Sequence, residues 1–179
     1  MLPEVCTAID EDPNDPFGFV RNPAFFTGPA AAPKVQFFQL PPMGIGYCRY
    51  SNNDRQFGTE GTIASIIQVA ILWAQFPVGD GASYPFSIGD MSYQDGRPMS
   101  PHHAHRDGRC VDIRPIRKDR QNDHVVWQEK AYDREETQRL VYAFQANPNF
   151  DYIFFNDSHV HGVRPYQGHD NHLHVHFKE

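Results

Sequence analysis

His172-Leu173-His174-Val175-His176-Phe177 alternates without a break near the end of the chain. Side chains on a strand repeat every two residues, so Leu173, Val175 and Phe177 take one face and His172, His174 and His176 the other. Such a strand packs its apolar face on a core and sets three imidazoles along the opposite one. The alternation predicts a sheet with its chemistry on one side.

Nine of the ten histidines fall in two clusters in the C-terminal half, and the first 101 residues contain none. The earlier cluster is His102-His103-Ala104-His105, with Asp112 seven residues beyond His105. Imidazole and carboxylate suit a zinc ion that keeps one position open for water or substrate. Asp112 lies in a predicted strand over residues 109–114, where Val111 and Ile113 alternate with Cys110, Asp112 and Arg114. Asp107-Gly108 can turn the chain so that His105 converges on it. His174 arrives from the last strand, and His172, ~6–7 Å away along that strand, suits an acid or base beside the metal. Zinc lowers the pKa of bound water toward ~7, within reach of an imidazole acceptor. The constellation points to a hydrolytic metal site with His105, Asp112 and His174 as ligands and His172 as base.

Around this core the chain reads as one domain of 179 residues. A helix is predicted over 62–75, with Ile63, Ile66, Ile67, Ala70, Ile71 and Ala74 at helical spacing and Pro77 beyond its end. A second is predicted over 134–146. Asp133 can cap it with Glu136 three residues on, Leu140, Val141 and Phe144 form its stripe, and Pro148 stops it. Residues 152–155 read as a short central strand. Residues 35–40 and 45–50 are strand candidates about the turn signal Pro41-Pro42-Met43-Gly44. Residues 1–34, rich in Pro, Gly, Asp and Asn, read as an irregular arm.

Composition narrows the function classes. Hydrophobic residues are 40% and charged residues 21%, ordinary for a globular protein. A net charge of -6 argues against nucleic acid, whose phosphates require clustered Lys and Arg. No apolar run approaches the ~20 residues needed to cross a bilayer. The N-terminus carries no basic region followed by an apolar stretch, so no signal peptide is expected. The three cysteines, Cys6, Cys48 and Cys110, exclude a multi-disulfide scaffold; they leave a Cys6–Cys48 bridge or three buried thiols.

Several stretches together resemble the penicillin-insensitive murein endopeptidases. They are Ile88-Gly89-Asp90-Met91-Ser92, Gly96-Arg97-Pro98-Met99-Ser100, His102-x-x-His105-x-x-Gly108-x-x-Val111-Asp112 and His169-Asp170-Asn171-His172-Leu173-His174. Ala131-Tyr132-Asp133 and residues 152–157 are similar as well, and the likeness covers residues 86–177. That family belongs to a wider group of zinc peptidases with lysostaphin-type and D-Ala-D-Ala enzymes. Cys110 stands where the family usually has Asp, and Arg97 where Gly is usual.

The resemblance implies an α+β fold: a small central antiparallel sheet carrying the zinc site, flanked by helices. It implies zinc on His105, Asp112 and His174, His172 as catalytic imidazole, and His102 and His169 as flanking imidazoles that help stabilise the oxyanion. The implied activity is zinc-dependent cleavage of D-amino-acid cross-links in peptidoglycan stem peptides. A zinc D-Ala-D-Ala carboxypeptidase and a non-catalytic cell-wall or partner-binding module on the same fold are the alternatives. The substrate places the activity in the periplasm or cell wall. Without a signal peptide, that requires a trimmed chain, phage release, or an effector route with a delivery system and an immunity protein.

The remaining candidates carry plainer expectations. Arg114 shares the face of Asp112 and either takes a substrate carboxylate or is a solvated or salt-bridged arginine. Asp90 either orients a ligand histidine or serves a strand-end turn. His176 is expected at the site's rim or in support of a ligand, His103 and His124 at the surface, and His159 and His161 in a structural loop.

Overall fold

The computed structural model describes residues 35–75, 84–102 and 104–178. The expected arm over 1–34 and the position of His103 lie outside them. The fold is α+β. Among the described residues eight strands form in chain order: β1 (Phe38–Gln39), β2 (Met43–Gly44), β3 (Tyr47–Arg49), β4 (Phe57–Gly58), β5 (Phe86–Ile88), β6 (Cys110–Ile113), β7 (Phe150–Phe154) and β8 (Leu173–Phe177). The helices are α1 (Glu60–Ala74) and α2 (Arg134–Gln145).

Six strands make the main sheet in the order β2-β3-β5-β6-β8-β7, and β1 with β4 makes a two-stranded ribbon. Every neighbouring pair in the main sheet is antiparallel except β3–β5. The exception follows from α1, which lies between β3 and β5 in the chain and supplies the crossover that a parallel pair requires.

The register sorts the side chains into two faces. Val111 pairs with Val175 and Val175 with Ile153, an apolar row. Asp112 pairs with His174 and His174 with Phe154, the row beside it. The apolar rows join Phe86, Ile88, Ile113 and Phe177 in one buried core with Ile66, Val69 and Ala70 of α1 and Leu140, Val141 and Phe144 of α2. Phe144 meets Phe86 edge-on at 5.6 Å and Phe177 at 6.2 Å. Emptying that position with alanine costs about 3–5 kcal/mol by the usual large-to-small rule.

Both helices start on side-chain caps. Thr59 accepts from the Thr62 amide and Asp133 from the Glu136 amide, satisfying amides that the first turn leaves unpaired. The buried face of α1 differs from the expected stripe: it carries Thr62, Ser65, Ile66, Val69, Ala70 and Trp73, while Ile71 is exposed. Isoleucines and alanines run almost round this helix, so more than one stripe fits its sequence.

Three strand expectations are corrected. The residues expected as a turn at 41–44 end in β2, which pairs with β3, so the chain reverses at Ile45–Gly46 instead. The strand at 152–155 is β7, an edge strand rather than a central one. Its open edge is covered by Arg164, whose backbone bonds to Ile153 and Phe155, which explains its apolar sequence. All five residues of β8 are buried, so the imidazole face is enclosed as well as the apolar one. Cys48 is a free thiol and Cys110 is disulfide-bonded, so neither the Cys6–Cys48 bridge nor three buried thiols holds; Cys6 lies outside the described residues.

Candidate metal centre

Asp112 is fixed by the middle of the sheet. Its amide donates to the Asp90 carbonyl at 2.9 Å, and its own carbonyl accepts from Gly89 N at 2.7 Å. Its side chain is therefore aimed by the pleat and only 5% exposed. The segment bearing His102 and His105 returns to β6 through Gly108 at φ +74. A Cβ there would lie 2.9 Å from the Thr59 nitrogen, so glycine is required both for the left-handed turn and for the close approach.

His102, His105 and Asp112 form a cluster that could hold a metal ion, each offering one ligand atom within 4.8 Å of the others. His174 joins from β8: its Nδ1 lies 3.0 Å from Asp112 Oδ1, the oxygen that His105 Nε2 approaches at 3.2 Å. His172 Nε2 stands 3.8 Å from the same atom, and His102 Nδ1 is 3.6 Å from Oδ2. One carboxylate is thus ringed by four imidazoles.

The outer nitrogens decide what these rings present to it. His105 Nδ1 faces the Met91 carbonyl at 2.5 Å. A carbonyl only accepts, so that nitrogen carries the proton and Nε2 is bare in the neutral ring. His172 Nδ1 is held at 2.7 Å by the Asn171 amide oxygen. His102 Nε2 is held at 3.1 Å by Asp90 Oδ2. His169 Nδ1 faces the carbonyls of Gln167 and Tyr166 at 3.0 and 3.2 Å. In three rings, His102, His105 and His172, the outer N–H is anchored and the inner nitrogen presents a lone pair toward Asp112. Lone pairs converging on a carboxylate repel unless a cation or a proton lies among them. Buried in this way, His105 Nε2 has no hydrogen-bond partner, which fits a cation-binding donor set.

The electrostatics agree. Burial opposes the charge on Asp112, but the imidazoles of His105, His174 and His172 outweigh it and hold its carboxyl well below the usual range. Burial also works against protonating His105, yet Asp112 and the Met91 carbonyl outweigh it and raise that imidazole. Burial wins at His174, which falls to about 4, and at His172 and His169, both lowered, with Asp112 opposing in each case. At neutral pH these three are neutral rings.

Residues outside the histidine clusters position the site. Asp90 accepts from His102, Arg55 and Ser51. Asp170 Oδ1 accepts from Trp127 Nε1 at 2.9 Å and Asn156 Nδ2 at 3.2 Å, pinning the turn between His169 and His172. Asn171 Nδ2 reaches His124 Nε2 at 3.1 Å, so His124, expected only as a surface residue, braces that turn while remaining exposed. Sequence reasoning missed Ser51, Arg55, Trp127 and Asn156, none of which lies in a histidine-bearing stretch. Asp90 was within reach through Ile88-Gly89-Asp90-Met91.

His176 is not at a rim. It is buried, its Nδ1 lies 3.0 Å from Asp151 Oδ2, and it stacks on Tyr152 at 4.8 Å. His159 bonds to Asp157 and the His161 backbone to Gln138, in keeping with a structural loop. Arg114 is stacked over Tyr50 beside the cluster. No protein-family model matches this chain, and no curated protein matches it.

Proposed function

We propose that the protein is a zinc-dependent peptidoglycan hydrolase that cleaves D-amino-acid-containing peptide cross-links, in the manner of the penicillin-insensitive murein endopeptidases that residues 86–177 resemble. The observation that carries this reading is the ring of four imidazoles turned onto the buried carboxylate of Asp112. A His–Asp donor set, with oxygen and nitrogen ligands and no thiolate, suits a catalytic zinc better than a closed structural one.

When bound, zinc polarises a carbonyl and lowers the pKa of water. His105, Asp112 and His174 would hold it, with His102 the neighbouring donor. His172 differs from them. It is half-buried, it stands 3.8 Å from Asp112 rather than about 3 Å, and its Nδ1–H is anchored by Asn171. A neutral ring with a fixed outer proton and a bare inner nitrogen is arranged to accept a proton at Nε2 and pass it on. His169, with its ring centroid 4.7 Å from that of His172, and His102, held by Asp90, flank the site, and each stabilises developing negative charge once its inner nitrogen has taken up a proton. A binding module would have no use for such an acceptor.

Digestion of purified peptidoglycan with mass analysis of the fragments tests the proposal. Cleaved cross-links support it, release of terminal D-alanine alone supports the carboxypeptidase alternative, and intact sacculi in the presence of zinc overturn both.

A further inference from the structure

The metal face of the sheet extends past the histidines to β5 and β3. Tyr50 directly follows β3, and its backbone N–H donates to the Ile88 carbonyl at 3.0 Å. Its side chain lies across Gly89: a Cβ at that glycine would fall 2.3 Å from the Tyr50 hydroxyl and 3.3 Å from Asp112 Cβ. The missing side chain is what lets the phenol reach the cluster. Burial first, then the nearby Asp112 charge, push this phenol up to about 12, with Arg114 opposing, so it remains a neutral hydroxyl.

Arg114 lies two residues after Asp112 on the same face of the sheet, with its amide held by the Ser87 carbonyl at 3.0 Å. Extending the Ile113–Leu173 register by one residue sets it opposite His172. Its guanidinium stacks on the Tyr50 ring, 3.8 Å from the centroid. The side chain is half-buried and makes no ion pair with a carboxylate among the described residues. Arg55, by contrast, is matched with Asp90 beside His102. The Tyr50 hydroxyl takes one donor of this Arg114 guanidinium, and the remaining N–H groups of its planar fork are available to a carboxylate.

We propose that Arg114 is the recognition point for a substrate carboxylate one residue from the scissile carbonyl, with Tyr50 as the positioning residue that aims it. The i, i+2 spacing of ~6–7 Å from Asp112 matches a carboxylate on the residue following the reacting carbonyl. This inference rests on the hydrolase reading above. Two sources share the chemistry: the α-carboxylate at the end of a stem peptide, and the free carboxylate of a diamino diacid at a cross-link.

The test uses zinc-loaded protein carrying His172→Ala, so that probes are bound without turnover, and reads dissociation constants by calorimetry. One pair of probes is N-acetyl-D-Ala-D-Ala and its C-terminal amide. The other is a cross-linked stem-peptide dimer with its diamino diacid free or amidated. The acid of at least one pair binds about tenfold or more tightly than its amide, in line with a charge-assisted bidentate contact; the pair that discriminates identifies the source. Adding Arg114→Gln removes the difference with zinc content unchanged, and Arg114→Lys keeps part of it. Tyr50→Leu reduces the preference while Tyr50→Phe, which keeps the ring, preserves it. Equal binding of acid and amide in both pairs overturns the proposal. So does a preference that survives Arg114→Gln, because the carboxylate would then be reading the metal. Identical selectivity in Tyr50→Leu and the parent removes Tyr50 from it. Arginine-dependent selectivity in a protein whose parent leaves peptidoglycan intact would defeat the hydrolase reading and leave the subsite standing.

Discussion

His105 turns its bare Nε2 onto Asp112, 3.2 Å from Oδ1, while its Nδ1 proton is held by the Met91 carbonyl. The contact has hydrogen-bonding distance but no hydrogen to share in the neutral ring, which makes it a place for a cation. Protein purified without added metal is expected to carry one equivalent of zinc by elemental analysis, and Asp112→Ala to lose it. The roles of His174 and His102 separate by the size of the effect. Removing a ligand abolishes tight binding, whereas removing a neighbour that only orients one costs about 10–100-fold. Protein that stays metal-free and refuses added zinc would sink this assignment.

His172→Ala is expected to keep its zinc and lose activity. The substitution removes the proton acceptor and leaves His105, Asp112 and His174 in place. Loss of a general base typically lowers the rate ~10²–10⁴-fold. Fragment release by the mutant at the parental rate would move the role to His169 or His102.

Asp90 acts through His102. Its carboxyl is pulled down to about 2: burial works against its charge, but hydrogen bonds from His102, Ser51 and Arg55 outweigh it. Asp90→Ala leaves the His102 ring without its anchor and the Arg55 guanidinium without its partner. A fall of about 10–100-fold in metal affinity or kcat/KM is expected for losing such a partner, with the far-UV spectrum unchanged. A competitive chelator titration gives the affinity, and an unaltered value alongside unaltered kcat/KM would reduce Asp90 to a turn residue.

Much of this site is local in sequence, and that is why it could be read. The alternation of residues 172–177 fixes which side chains share a face once a strand forms, and the helix cap Asp133 acts within three residues. Partners joined only by folding left no such trace. Tyr50 lies beside Asp112 across Gly89, just past the end of β5, and Trp127 meets Asp170 43 residues away. The place of β7 at the sheet edge was hidden because its open side is covered by the loop at Arg164, so its apolar composition matches that of a central strand. The direction of α1 was hidden for a different reason: an almost uniformly apolar helix does not declare its buried face.

Asp157 supplies a test of stability away from the metal. Its carboxylate is fully buried, accepts from Arg134 Nε at 2.7 Å and from His159 N at 3.0 Å, and ties the start of α2 to the loop after β7. Burial alone would raise its pKa, but the hydrogen bonds from Arg134, His159 and Tyr132 outweigh that and lower it. In the unfolded chain an Asp titrates near ~3.9. A pKa depressed by folding stabilises the native state fully above the unfolded value, and the contribution fades as pH falls through the folded one. Asp157→Asn should therefore lower the thermal midpoint by a constant amount from neutral pH to about pH 5, and the gap to the parent should close below about pH 4. Making the comparison in a His159→Gln background removes the imidazole that bonds to the same carboxylate. A gap that stayed constant down to about pH 2 would mean that the carboxylate charge contributes nothing there, and that Arg134 is held as well by the amide as by the acid.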